Sequence, residues 1–429
     1  MKSEKDFSDT ELNQVQNRTL IVLTAAQVLS GVGVAATVAA GSLLVASITG
    51  SEAMAGLAQT FGVLGAASLA LPLAALTRKG GRRLALSLGY FLGSLGAIFA
   101  IIGGTFRLTP IVLLGTFLVG AASAAGYQAR FAAVDLAKDN LRAKHLSVVV
   151  WGSTFGAVLG PNLMAPFGYI SASLGLPQLI GPYLLAVFML GLGAFLISTG
   201  LRPDPYLLSY QLLPHLKDVV GNSSAKAAIT QIRKSENAFI GLLAVVIGHI
   251  AMVSVMVMTP IHMAHVDVTL QIIGLVISVH IAGMYALSPV MGWMADRFGR
   301  IATIQFGVVT LLLSTLVAGT SAPDAVISLG IGLFLLGLGW SATLVAGSTL
   351  LSESVAIEQK TASQGASDLI MNLGGAIGGA IAGVIIATLS YGWLCLIAAI
   401  PVALYEIYVA IKKKSKLSIY PKLKNLRYF

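Results

Sequence analysis

Charge is what this sequence has least of. Only 10% of its 429 residues are Asp, Glu, Lys or Arg, while 56% are hydrophobic. A water-soluble chain of this length needs far more charge on its surface, so a soluble globular protein is excluded. Cysteine is nearly absent as well. Cys395 stands alone, which excludes any disulfide within the chain. Also missing are a glycine-rich phosphate loop with its lysine, zinc-ligand spacing and a nucleophile triad. ATP-driven work and enzymatic catalysis are therefore unsupported, and no cofactor or resident metal is expected.

What is there is apolar, and it comes in long blocks rather than amphipathic stripes. A helix needs about 20 apolar residues to cross the hydrocarbon core. Twelve blocks meet that length, at 19–46, 52–76, 82–104, 108–132, 145–168, 178–200, 237–261, 270–294, 301–319, 325–350, 362–386 and 389–411. In lipid, only a helix satisfies its own backbone within one segment. The expected fold class is an all-α membrane protein with 12 transmembrane helices. If both termini are cytoplasmic, 26 of the 27 Lys and Arg lie on that side and only Arg107 lies outside. Such asymmetry sets the orientation in a cell membrane. The net charge of +10 then reflects topology and membrane lipids, not nucleic acid. The first 18 residues are polar and end in no small-residue cleavage site, so the first block is expected to be an uncleaved anchor.

The blocks divide six and six. The expected organisation is a tail at 1–18, a six-helix half at 19–200, a central cytoplasmic loop at 201–236, a second half at 237–411 and a basic tail at 412–429. From Asp218 to Lys234 the loop reads either as an amphipathic surface helix or as a flexible linker. The halves repeat at a constant offset of 218 residues. Gly81 and Arg82 fall on Gly299 and Arg300, Asp135 on Glu353, Arg142 on Lys360, and Gly156 and Gly160 on Gly374 and Gly378. Repeated halves enclosing a site near the midplane mark secondary transporters.

The stretch GWMADRFGR, containing Gly292, Asp296, Arg297, Gly299 and Arg300, interrupts the apolar sequence at the end of the eighth block. Gly299 permits a tight turn with positive φ. Asp296 is placed to accept hydrogen bonds from the N-terminus of a neighbouring helix, whose dipole favours an anion. This stretch closely resembles the signature loop of the major facilitator superfamily, Gly-x-x-x-Asp-Arg-x-Gly-Arg. The resemblance implies twelve spans in two pseudo-symmetric halves and transport by alternating access. The first-half copy, LTRKGGRR, keeps Gly81 and Arg82 but has Arg78 in place of the aspartate. A latch there needs another pair, such as Arg78, Arg82 or Arg83 with Asp135, with Arg300 and Glu353 as its counterpart. Gly152, Gly156, Gly160 and Pro161 in the fifth block resemble, in part, the Gly-Pro motif of the family's antiporters. That implies export; close helix packing is the other reading.

Ionisable groups inside a membrane are costly and default to function. Asp368 is the only acidic residue well inside a block, and Gln364, Asp368 and Asn372 form one polar stripe. A carboxyl taken out of water can exchange protons near neutrality, so Asp368 is the first candidate for proton coupling, beside a structural role. His249 and His280 are further candidates. Met252, Met256 and Met284 share faces with them and suit an adaptable apolar cavity or plain packing. Gln27, Tyr127 and Gln128 are candidate path-lining groups, as is Gln59. Arg130 reads as an inner-end charge, and the seventh block is followed by His262, His265 and Asp267, read as a solvated loop.

With no Arg or Lys assigned to mid-membrane, organic anions are disfavoured. The leading expectation is a monomeric, proton-coupled exporter of small hydrophobic compounds. The alternatives are uptake or facilitated passage of a neutral metabolite such as a sugar, and a non-transporting membrane sensor.

Overall fold

The computed structural model describes residues 8–50, 52–212, 225–264 and 270–424. The first half consists of α1 (Asp9–Thr49), α2 (Glu52–Thr105), α3 (Thr109–Ala132), α4 (Arg142–Asn162), α5 (Met164–Ser173) and α6 (Gly181–Gly200). Two short helices follow in the central segment, α7 (Pro205–Gln211) and α8 (Ala225–Lys234). The second half comprises α9 (Glu236–Ala264), α10 (Leu270–Tyr285), α11 (Ser288–Phe298), α12 (Arg300–Thr320), α13 (Val326–Glu353), α14 (Ile357–Thr388) and α15 (Tyr391–Lys424). The stretch from Asp218 to 224 lies outside the described residues; 225–234 is helical.

Twelve crossings emerge once the bends are counted. Among the described residues, ten helical runs, with α10 and α11 counted together as one, are long and apolar enough to span, and the bent pair α4–α5 raises this to 11. The twelfth comes from α2, which is two crossings joined at Gly81 (φ 84°). Its counterpart Gly299 (φ 97°) separates α11 from α12. Only glycine adopts these angles without steric cost, which is why the repeat keeps both.

Prolines place the other breaks. A proline clashes with the carbonyl four residues earlier and donates nothing to it. Pro289 acts on Tyr285, where α10 ends, and Pro166 acts on Asn162, where α4 ends. Pro161 removes one more donor in the same region, and the chain turns there by 54°.

At its start, α1 runs ten residues ahead of its apolar block. Ser8 explains this. Its hydroxyl accepts the Glu11 N–H at 3.3 Å, and the Glu11 carboxylate accepts the Ser8 N–H at 3.0 Å. This reciprocal cap satisfies two otherwise orphaned donors.

Two large apolar cores centre on opposite halves, and the second also takes in Ala143, Leu146 and Val150 of α4. One is built around Leu23, Tyr90, Ala125 and Tyr183, the other around Val255, Leu333, Trp340 and Val402. Between them lies a seam, and the polar groups concentrate there.

Candidate functional site

The seam is closed at the end of the bundle that carries Arg82, Lys144 and Arg300, here termed the basic end. Asp296, at the end of α11, accepts the backbone N–H groups of Ala143 (3.2 Å) and Lys144 (2.8 Å) in the first turn of α4. Those donors have no partner inside their own helix, and the helix dipole favours a carboxylate there. Gly292, one turn earlier, sits flush against Ser147 of α4. Ser288 adds a hydrogen bond to the Ser147 carbonyl at 3.1 Å. Arg297 ends the same helix, in its last turn.

Arg300 holds Glu353 through two nitrogens, at 3.2 and 2.9 Å, and Asp296 at 2.8 Å. Arg82 repeats the motif in the first half, holding Asp135 at 2.8 and 3.3 Å. The next partners cross between the halves. Arg142 lies 3.7 Å from Glu353, and Lys360 lies 3.7 Å from Asp135. Arg82 also donates to Gln364 of α14 at 2.8 Å, and Gln364 donates to Ser352 at 3.1 Å.

Where Asp296 has no first-half equivalent, Asp204 enters from the segment after α6. Its carboxylate accepts the Arg83 N–H at 2.7 Å and those of Tyr206 and Leu207 at 3.0 and 3.1 Å. It thus caps both the second crossing of α2 and the start of α7. Sequence reasoning overlooked it. The available signal was Asp204 directly before Pro205, an N-cap followed by a proline at the first helical position.

Deeper in the seam, Arg130 of α3 donates to Asp368 of α14 at 2.6 Å. Their side chains are 2% and 0% exposed. The pair is incompletely satisfied, because Arg130 Nε and Nη1 and Asp368 Oδ2 are buried without hydrogen-bond partners. Arg130, expected as an inner-end charge, is buried in the interface between the halves, and Arg82 is buried there too. Span position alone cannot show that a side chain is folded against a residue 238 positions away in sequence.

A cavity of about 200 Å³ lies on the other side of this pair. Thr37, Gln59, Thr116, Ser123, Tyr127 and Asn372 supply its polar groups, and small or aliphatic residues the rest. No charged side chain among the described residues lines it. Its floor comes near the ion pair at Tyr127, with Asn372 one turn along α14 from Asp368. The Tyr127 ring lies 5.6 Å from the Arg130 guanidinium, and Asn372 donates to the Asp368 carbonyl at 2.7 Å.

The remaining candidates are elsewhere. Gln27 bonds Ser153 at 2.9 Å, and Gln128 bonds the Ala70 carbonyl at 2.7 Å, so both tie helices of the first half together. His249 accepts from the Trp340 indole at 3.1 Å. His280 meets the Leu333 carbonyl at 2.8 Å. Those partners are seven residues apart on α13, about two turns, so the histidines do not share one site. Met252 and Met284 are buried in the second core and Met256 packs against it; none lines the cavity. Gly152, Gly156 and Gly160 face α1, with Gly156 against the backbone of Gly31. Of the group expected in a solvated loop, His262 lies instead in the last turn of α9 and stacks on Tyr391 at 4.2 Å, while His265 and Asp267 lie outside the described residues.

The Major Facilitator Superfamily model matches residues 23–267 and 241–419. The chain is 36% identical to the uncharacterized MFS-type transporter YdeG of Bacillus subtilis, covering 92% of this chain and 91% of that protein. It is 27% identical to the riboflavin transporter RfnT of Brucella anthropi, covering 82% and 85% respectively. Among solved structures it resembles a bacterial homologue of the iron transporter ferroportin in its outward-facing state. The TM-score is 0.70 at 14% identity, over 94% of this chain and 99% of that one.

Proposed function

The chain belongs to the Major Facilitator Superfamily, and from that premise we propose that it is a proton-coupled secondary transporter of small, uncharged, largely apolar compounds, working as an exporter. The basic end is cytoplasmic, as are both termini. The conformation described here is then closed to the cytoplasm and faces outward.

One observation carries the reading. A cavity without formal charge rests on a buried acid–base pair that joins the two halves. A neutral compound with a few hydrogen-bonding groups fits such a lining. Beneath it, a proton on Asp368 removes the charge that Arg130 holds. That weakens one tie across the seam and couples proton movement to rocking of the halves.

A second reading, uptake of a hydrogen-bonding neutral compound, is favoured by the similarity to a riboflavin transporter. Transport in both directions decides between them. Cells are loaded with, or exposed to, fluorescent neutral compounds, riboflavin included, with and without a protonophore, in wild type and Asp368→Asn. Proton-dependent efflux that the variant lacks supports export. Proton-dependent accumulation supports uptake. Gradient-independent movement in both proteins rejects proton coupling.

A further inference from the structure

Aromatic rings from four helices gather beside the Arg130–Asp368 pair. Tyr127 of α3 lies against Arg130. Tyr285 of α10 meets Trp340 of α13 edge-on, with ring centres 5.6 Å apart. The Trp340 indole donates to Nδ1 of His249 on α9 at 3.1 Å. His249 in turn lies against α14 at Gly375, where a β-carbon would stand 2.8 Å from Nε2. Gly375 is about two turns beyond Asp368 on that helix.

The Trp340–His249 bond has a direction. An indole nitrogen only donates. The imidazole nitrogen it meets must be bare, so the ring's hydrogen sits on Nε2. A histidine cation carries hydrogen on both nitrogens and accepts from nothing. Protonating His249 would set two N–H groups against each other where Trp340 is 2% and His249 7% exposed. Leaving a buried donor unmatched is costly.

The surroundings offer the cation no counter-charge of its own. Arg130 is the charged group whose field reaches the ring, and Asp368 on α14 is already held by Arg130. On α15, Tyr405 and Tyr391 meet α9 at Ile240 and Thr259, each more than two turns from His249. The helices α8, α12 and α13 carry charge only at the basic end. His280 of α10 is closed off in another way. It is fully buried between α10 and α13 of one half, with Nδ1 on the Leu333 carbonyl and Nε2 sealed without a partner. Rocking of the halves opens the seam at Asp368 and leaves that contact shut.

We propose that Trp340 is a positioning residue that fixes His249 in its uncharged form, so that Asp368 alone carries the coupled proton and each cycle moves one. The ratio rests on the proposed coupling at Asp368; the lock on His249 does not. One proton exchanged for a neutral compound moves one net charge, so membrane voltage drives transport alongside the pH gradient.

The test uses full-length protein in nanodiscs, labelled with nitrogen-15 histidine. The His249→Gln spectrum assigns the His249 signals by difference. In wild type the expected result is one bare and one hydrogen-bearing nitrogen, unchanged from about pH 8 to about pH 5. Trp340→Phe keeps an aromatic ring and removes the donor, so there the bare nitrogen should take a proton within that range. Proton uptake over the same range gives the count without any substrate. Wild type and His249→Gln should take up equal numbers, whereas Trp340→Phe should exceed Trp340→Phe, His249→Gln by one proton per chain. A His249 that titrates in wild type, or that stays neutral in Trp340→Phe, overturns the lock. The wild-type comparison stands on its own should Trp340→Phe fail to fold. The efflux assay with fluorescent neutral compounds then tests the ratio. More than one proton per compound in wild type overturns it. Flux indifferent to the proton gradient, with the lock intact, counts instead against coupling at Asp368.

Discussion

Arg130 and Asp368 join the two halves of the molecule through a single 2.6 Å hydrogen bond, with both side chains sealed from solvent. Removing one member of such a pair strands the other as an uncompensated buried charge, which costs about 3–5 kcal/mol. Asp368→Asn is therefore expected to lower thermal stability markedly as well as to uncouple transport. The double variant Arg130→Met, Asp368→Leu should recover most of the stability and none of the proton dependence. Melting curves and gradient-driven flux on both proteins check this. A stable Asp368→Asn protein with wild-type coupling would remove the pair from the mechanism.

Asp296 should matter to state rather than to affinity. Its two bonds to the α4 N-terminus exist only while the seam is closed at the basic end. Losing a cap of this kind costs about 1–2 kcal/mol. Asp296→Ala should then shift the balance of states several-fold toward opening at that end. Distances between spin labels at the Asn140 and Ala356 positions report the shift, and substrate affinity per outward-facing molecule should hardly change.

The charged residues of the seam should not be equivalent. Arg82 is fully buried and grips Asp135 with two nitrogens, so Arg82→Gln is expected to destabilise by about 3–5 kcal/mol. Arg142 retains 29% side-chain exposure and reaches Glu353 only at 3.7 Å. Arg142→Gln should cost at most about 1 kcal/mol. Denaturation of both variants side by side tests the ranking.

Gly156 should tolerate no side chain. A β-carbon there runs into the Gly31 backbone of α1. Gly156→Ala is expected to cost about 1–3 kcal/mol through overpacking, and Gly156→Leu to abolish the folded state. Yield and melting temperature of the two variants measure this. Unchanged stability in both would mean that α1 and α4 are not packed this closely.

How much of this was written in the sequence depended on distance along the chain. The spans were legible because twenty apolar residues in a row have few other uses in protein structure. The repeat was legible because charges are rare enough for Arg82 with Arg300, and Asp135 with Glu353, to stand out. The break at Tyr285 was not anticipated, although Pro289 stands four residues after it; near Asn162 the signal was Pro161, which removes a backbone donor and can kink its helix. The cross-seam contacts were out of reach. Arg130 and Asp368 are 238 residues apart, and neither residue's neighbours point to the other. The methionines next to His249 and His280 read equally well as cavity or core, because both environments are apolar. The structure separates them by placing all three methionines in or against the second core.

The exchanged charges at the basic end have a consequence for how such a molecule arises. Arg142 meets Glu353, and Lys360, its equivalent, meets Asp135, the equivalent of Glu353. Residue i touching j while the second copy of i touches the first copy of j is the contact pattern of an isologous twofold dimer. Two separate copies of an ancestral six-helix subunit would meet through the same arms without any change of register. The first half has Arg78 where the second has Asp296, and Asp204, from the segment between the halves, fills a capping role there.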